Sequence, residues 1–565
     1  MKQKAMQQLY TEEGRRLPAV PWERYPRPQL ERAEWLCLNG TWELSFGKTR
    51  TDVLVPFCPE SLLSGVETPP AIGQEMTYRR TFAVPEAWNG KKVLLHFGAV
   101  MRKATVLVNG IEVCTHENGY LPFFADVTAQ LREGENELCV RVINDLDTRY
   151  PWGKQRIKRG GMWYTPCSGI WQTVWLEPVP ERAVKALRIC NGSDWAEIEA
   201  EGISDGEIEL EGRRYPLECG RARIAFSDPH LWSPEDPYLY RFTLTCGEDR
   251  IRSYFALRTL STEIVDGTPR LCLNGKPYFF NGLLDQGYWS DGLYTPATPD
   301  GFETDIRAMK SLGFRMLRKH IKIEPEQFYY DCDRLGMIVF QDMVNNGVYR
   351  YVRDTVLPTI HLQKRKDARL NRSAQARRIF LESMEATVRH LRNHPCICLW
   401  TIFNEGWGQF CADDAYDRLK TLDPDRWIDS TSGWFHQQKS DVDSLHIYFD
   451  ALHIGKLPLP QLLSEFGGYV WKLPEHSFNT EKTYGYHTFE TCEAYVDALR
   501  TLYRSLIPLA EQGLCGAIYT QVSDVEDETN GLFTFDRAVL KIQPEELCDL
   551  VQAIRRAVEK PAEYP

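Results

Sequence analysis

The chain has 565 residues, 43% hydrophobic and 26% charged, which is more than one core fills and implies roughly two to four domains. A net charge of −11 argues against nucleic acid and membrane surfaces as partners and is silent on a neutral sugar. No run reaches the roughly 18 apolar residues of a membrane span, and Met1 to Arg16 shows charges but no apolar secretion core, so a cytoplasmic protein with reduced thiols at its 16 cysteines is expected.

Up to about Pro178 the chain reads as short alternating strands, among them Lys92–Phe97, Ala104–Val108, Glu137–Val142 and Gln172–Leu176, with turn pairs such as Asn109-Gly110. No long helical period interrupts them, which predicts a β-sandwich. From Val184 to about Ser261 a smaller β region follows, where Ile208–Glu211 and Tyr240–Thr245 alternate strictly. Its size suits an immunoglobulin-like sandwich. After Leu273-Asn274-Gly275 apolar strands alternate with helical patterns, the signature of βα units. Eight strands are predicted, at 277–284, 314–320, 337–343, 396–405, 427–433, 444–449, 460–467 and 516–524. Thr298 can cap, and Pro299 open, a helix whose Phe302, Ile306 and Met309 share a face and which Gly313 ends. Further helices are predicted over 373–392, 489–512 and 544–558. Eight strands with helices between them make a C-terminal (β/α)8 TIM barrel.

The C-terminal tips of those strands are polar. In order they offer Asp285-Gln286, Arg318-Lys319-His320, Gln341-Asp342, Asn404-Glu405, Ser430 to Trp434, His446 and Tyr448, Ser464-Glu465, and Gln521 to Glu526. Barrel active sites lie on that face. Glu405 and Glu465 each end an otherwise apolar strand, and two carboxylates facing each other across a pocket are the machinery of glycoside hydrolysis. No His-rich or Cys-rich set has metal-ligand spacing, and two carboxylates suffice for that chemistry. No metal or other cofactor is expected, and turnover should survive a chelator.

Several motifs point the same way in combination. Leu38-Asn39-Gly40-Thr41-Trp42, Tyr78-Arg79-Arg80-Thr81-Phe82 and Gly169 to Val174 lie in the first region. Leu231-Trp232-Ser233-Pro234, Pro237 to Tyr240 and Phe255-Ala256-Leu257-Arg258 lie in the second, and Leu273 to Pro277, Asn404-Glu405 and Ser464 to Gly467 in the third. With these the chain resembles glycoside hydrolase family 2, which includes β-galactosidases, β-glucuronidases and β-mannosidases. The resemblance implies an N-terminal sugar-binding-like jelly roll over 1–180, an immunoglobulin-like β-sandwich over 181–261 and a catalytic barrel over 262–565. It implies a retaining exo-β-glycosidase with Glu465 as nucleophile and Glu405 as acid/base, acting on a carbohydrate or glycoconjugate. Asn404 would bond the sugar 2-hydroxyl, and Tyr448 matches the family tyrosine that donates to the nucleophile. Arg318 and His320 resemble a strand-2 pair that in the family is one residue further apart. His446, Asp285, Asp342, Gln521 and Glu526 would line the pocket, and Trp434 and Trp289 would stack on sugar faces.

One departure bears on the sugar. β-Glucuronidases of the family carry an Asn and a Lys near the strand-8 loop that hold the substrate carboxylate. Here that stretch carries Asp524, Glu526, Asp527 and Glu528, with no Lys or Arg before Arg537. Such acids would repel a uronate, which favours β-D-galactosidase-type specificity unless Lys319 swings in. Gln341-Asp342-Met343 resembles the strand-3 end of β-mannosidases, though strand 2 does not. β-Glucuronidase and β-mannosidase specificities remain alternatives, as does a catalytically silent glycan-binding protein. Monomer and homo-oligomer are both compatible with the sequence.

Overall fold

In the computed structural model, which describes residues 6–360, 362, 366–455 and 458–559, two antiparallel sheets face each other at the N-terminus. One has six strands in the order Thr49–Val55, Gly40–Phe46, Met76–Ala83, Glu135–Ile143, Lys103–Val108, Ile111–His116. The other has four, in the order Leu36–Cys37, Val174–Val179, Lys92–Phe97, Phe123–Asp126. Burial along Gly40–Phe46 alternates, so Trp42, Leu44 and Phe46 enter one core while Thr41 faces solvent.

Seven further antiparallel strands between Ala186 and Phe255 form a three-stranded and a four-stranded layer. A single residue pair, Glu218 with Arg221, joins the layers, and a separate core fills the space between them. This is the immunoglobulin-like sandwich expected from the alternation.

The barrel strands are β1 (Phe280–Asp285), β2 (Met316–Lys319), β3 (Ile338–Asp342), β4 (Ile397–Asn404), β5 (Trp427–Ser432), β6 (Asp443–Ile447), β7 (Gln461–Phe466) and β8 (Leu514–Tyr519). All are parallel, in the order β5-β4-β3-β2-β1-β8-β7-β6. Every residue of β4, β5, β7 and β8 is buried, as strands covered on both faces require. The β5/β6 seam is closed by side chains rather than a backbone ladder, with Gly433 N donating to Ser444 Oγ at 3.4 Å.

Helices α1 (Asp300–Ser311), α2 (Glu326–Leu335), α3 (Ala374–Leu391), α4 (Ala412–Leu422), α5 (Cys492–Gln512) and α6 (Pro544–Val558) surround the strands. α2 and α4 were not foreseen. Thr298 does not cap α1 with its side chain, whose hydroxyl is buried without a partner. Ser373 and Thr491 do cap α3 and α5. Among the described residues no helix separates β5 from β6 or β6 from β7, contrary to a helix after every strand. The connections are short for a full crossover, and the second contains Pro458 and Pro460.

The loop between Ile143 and Gly169 leaves the jelly roll and lies over the barrel mouth. Trp152 donates its backbone N–H to Asn345 O at 3.1 Å and its indole N–H to Gly347 O at 3.1 Å. Trp152, Trp163 and Tyr164 belong to the same apolar cluster as the barrel interior.

Candidate active site

Chain path alone brings Glu405 and Glu465 together, since β4 and β7 deliver them to one face. Glu405 follows the last residue of β4 in a left-handed conformation (φ 52°), with its N–H on Ser432 O at 3.0 Å and its C=O accepting from Trp434 Nε1 at 3.2 Å. A non-glycine residue held there is strained and must be kept by its neighbours. Between the two carboxyls stands His446, with Nδ1 2.9 Å from Glu405 Oε1 and Nε2 3.6 Å from Glu465 Oε1. Glu405, His446 and Glu465 each place one atom within 4.8 Å of the others. Gly433 makes room for the imidazole, because a Cβ there would lie 2.6 Å from the ring.

Arg318, 1% exposed, organises the other side. Its Nη1 donates to Glu465 Oε1 at 3.1 Å, its Nε to Asp342 Oδ1 at 2.9 Å and its Nη2 to Asn404 Oδ1 at 2.8 Å. With its oxygen taken, Asn404 has its NH2 end to offer a ligand. His320 Nδ1 lies 2.7 Å from the second oxygen of Asp342, so Asp342 holds both strand-2 residues despite their closer spacing. Tyr448 donates its hydroxyl to Glu465 Oε2 and stacks on Tyr486, ring centres 3.7 Å apart.

The two carboxyls titrate apart. Burial raises the Glu405 pKa, and the nearby charge of Glu465 adds to the rise despite the contact with His446. Burial also works to raise Glu465, but the fields of His446 and Arg318, with smaller help from His320 and Lys154, hold it well below the usual carboxylate range. Burial and the charge of Glu465 keep the Tyr448 hydroxyl protonated. Burial pushes the His320 imidazole down to about 4. Glu405 is thus pushed toward the protonated form and Glu465 toward the ionised one. A divalent cation at the same trio would meet the Arg318 guanidinium already seated on Glu465, which opposes it.

Four residues expected to meet the sugar are engaged by other parts of the protein. Glu526, expected to line the pocket, is buried with both carboxylate oxygens taken by the jelly-roll loop, accepting from Thr165 N at 2.8 Å and pairing with Arg159 at 3.3 Å. The reason is the jelly-roll loop, which supplies a cation and a backbone donor that the strand-8 segment lacks. Asp285 pairs with Lys319 at 2.6 Å, and its second oxygen accepts from Gly287 N at 2.9 Å. Lys319 is also 2.9 Å from Glu324, so it is neutralised in place and does not swing to a ligand. Trp289 packs on Phe302 with Arg537 over its ring, within the protein. Gln521 bonds Asn530 Oδ1 at 2.9 Å and leaves its own Oε1 buried without a partner.

The sequence reading missed Tyr486, Trp407 and Lys154. Lys154 and its neighbours lie in a long structureless connection between jelly-roll strands, and a loop of that length in a compact domain is itself a functional signal.

Residues 23–180 match the description "Glycosyl hydrolases family 2, sugar binding domain", residues 194–258 "Glycosyl hydrolases family 2", and residues 264–465 "Glycosyl hydrolases family 2, TIM barrel domain". The chain belongs to glycoside hydrolase family 2. Among relatives within and around this family, a protein from Thermoanaerobacter pseudethanolicus named beta-galactosidase is 23% identical over 70% of this chain and 54% of its own length. A beta-glucuronidase from Felis catus is 24% identical over 62% of this chain and 58% of its own. The chain thus spans little more than half of each. The solved beta-D-glucuronidase of Dictyoglomus thermophilum superposes with a TM-score of 0.72 at 18% identity, covering 94% of this chain and 98% of that one, which shows a shared family 2 fold.

Proposed function

We propose that this family 2 chain is a retaining exo-β-glycosidase. The observation that carries the reading is the spacing and unequal ionisation of Glu405 and Glu465, whose oxygens come within 4.8 Å while one pKa is raised and the other lowered. Carboxyls roughly 5 Å apart leave no room for a water between acid and base and so act by double displacement.

Ionised Glu465, aligned by Arg318 and Tyr448, attacks the anomeric carbon. Protonated Glu405 gives its proton to the departing glycosidic oxygen, and a covalent glycosyl–enzyme ester forms. Glu405, now a carboxylate, takes a proton from water as that water attacks the same carbon, and Glu465 leaves with its charge restored. The NH2 of Asn404 meets the sugar 2-hydroxyl, a contact that tightens in the transition state.

The expectation of a neutral galactoside rested on repulsion by the four acids after β8. Asp524 is paired with Lys541 at 2.7 Å, Glu526 with Arg159, Asp527 with Asn479 at 2.8 Å, and Glu528 with Tyr164 and with Asn530 at 3.1 Å. Two of the four are offset by a cation and the other two are held by neutral donors, so the repulsion is about half what the sequence suggests and no longer decides against an acidic sugar. The named relatives divide between galactosides and glucuronides in the same way.

Proton NMR of the first-formed sugar tests the mechanism. Retention of the β configuration is expected, together with covalent labelling of Glu465 by a 2-deoxy-2-fluoro glycoside detected by peptide mass spectrometry. An inverted product, or a label elsewhere, overturns it.

A further inference from the structure

Four lysines are buried among the described residues, and three of them are paired. Lys319 has Asp285 and Glu324, Lys322 has Glu324 at 2.8 Å, and Lys541 has Asp524. The fourth, Lys154, is 8% exposed and has no carboxylate or hydrogen-bond acceptor on its ammonium among the described residues. An ammonium with no counter-charge, at the end of a side chain otherwise buried at the barrel mouth, leaves its charge to be matched from outside the chain.

Its position says what matches it. Nζ lies 5.7 Å from the centre of the Trp407 ring and 5.8 Å from that of Tyr164, two aromatic walls at the barrel mouth. Its field reaches Glu405, Glu465 and His320. Trp407, the second residue after Glu405, has its indole N–H buried with no acceptor. The loop carrying Lys154 is pinned on both sides. Trp152 bonds the segment after β3, while Arg159, Tyr164 and Thr165 bond the acids after β8. Gly153 sits at φ +69° where a Cβ would be 2.5 Å from the Tyr120 hydroxyl, so only glycine makes this turn into Lys154. The strand-8 acids are therefore the anchor of a loop that presents a cation to the pocket.

We propose that Lys154 pairs with a carboxylate on the sugar, so that the preferred substrate is a terminal β-hexuronide. The inference rests on the glycosidase reading for its sugar and on Lys154 for the charge. A competing role, support of ionised Glu465 alone, would act on every substrate equally. Pairing with the substrate acts only on the charged one.

Lys154→Met in the full chain, assayed on matched p-nitrophenyl β-galacturonide, β-glucuronide, β-galactoside, β-glucoside and β-galactoside 6-phosphate, decides between them. The wild-type chain should prefer a hexuronide over the hexoside of the same configuration. In Lys154→Met the ratio of their kcat/KM values should collapse by at least about 30-fold, chiefly through KM, as expected for truncating one partner of a buried ion pair. Lys154→Arg should restore part of the preference. A ratio is indifferent to how much of a variant folds. A wild-type preference for the neutral hexoside, an unchanged ratio, or preference for the 6-phosphate overturns the assignment. If no glycoside is turned over, titration calorimetry with galacturonate and glucuronate separates the two claims. Binding that is lost in Lys154→Met upholds the carboxylate site and places the failure on the glycosidase reading. No binding sinks the site.

Discussion

Two buried ionic clusters sit a few residues apart at the tips of β1 and β2, and they are built on opposite plans. Around Lys319, each of two lysines touches a carboxylate of Asp285 or Glu324, and the group is closed. Around Arg318, the acids are set against one another through His446, with one pKa raised and the other lowered, and Lys154 stands unpaired at the edge. Adjacent residues of one strand, Arg318 and Lys319, thus face two different sites. A closed cluster spends its charges on the fold, whereas an open one keeps them for a ligand.

That contrast is broken most severely by Glu465→Gln. Turnover of aryl β-glycosides should fall by at least about 10⁴-fold, since the nucleophile is gone. The thermal unfolding midpoint should change little, because the amide keeps the shape and an acceptor for Arg318. A large drop in the midpoint would class Glu465 with the closed cluster.

Lys319→Met tests the other side. It strands Asp285 in the interior, while Glu324 keeps Lys322, and should cost roughly 3–5 kcal/mol of stability, read by denaturant unfolding. The folded fraction, assayed well below its midpoint, should keep its sugar preference. A shift in that preference would bring Lys319 into the pocket.

The pH profile is the mildest probe. On the acid side kcat/KM falls as Glu465 gains a proton, and because its pKa is depressed that limb lies below the usual carboxylate range. On the alkaline side it falls as Glu405 loses its proton, and because its pKa is raised that limb lies above the range. Glu405→Gln should flatten the alkaline limb on activated aryl substrates, which need little acid help. An unchanged limb would assign it to another group.

The strand tips were legible in the sequence because a parallel strand buried on both faces has only its end free for polar residues. That logic finds Asn404, Glu405, Glu465, Arg318 and Asp342 without knowing which strands adjoin. It fails where a partner comes from elsewhere in the chain. Nothing local to Glu526 shows that Arg159 and Thr165 would occupy it, or that Lys319 would be captured by Glu324 from beyond its own strand. Lys154 precedes the barrel by more than a whole sandwich, and only the length and aromatic content of its loop hint at a task. The lack of helices around β6, among the described residues, is readable in the short connections on either side of it.

The loop that leaves the jelly roll has a consequence for descent. On the proposed reading, the residues that would cut the glycosidic bond lie on barrel strands, and the residue that would pair with the sugar's charge lies on a loop of the jelly roll. Substitutions confined to that loop would then alter which sugar is taken while leaving the two carboxyls that would cut it untouched.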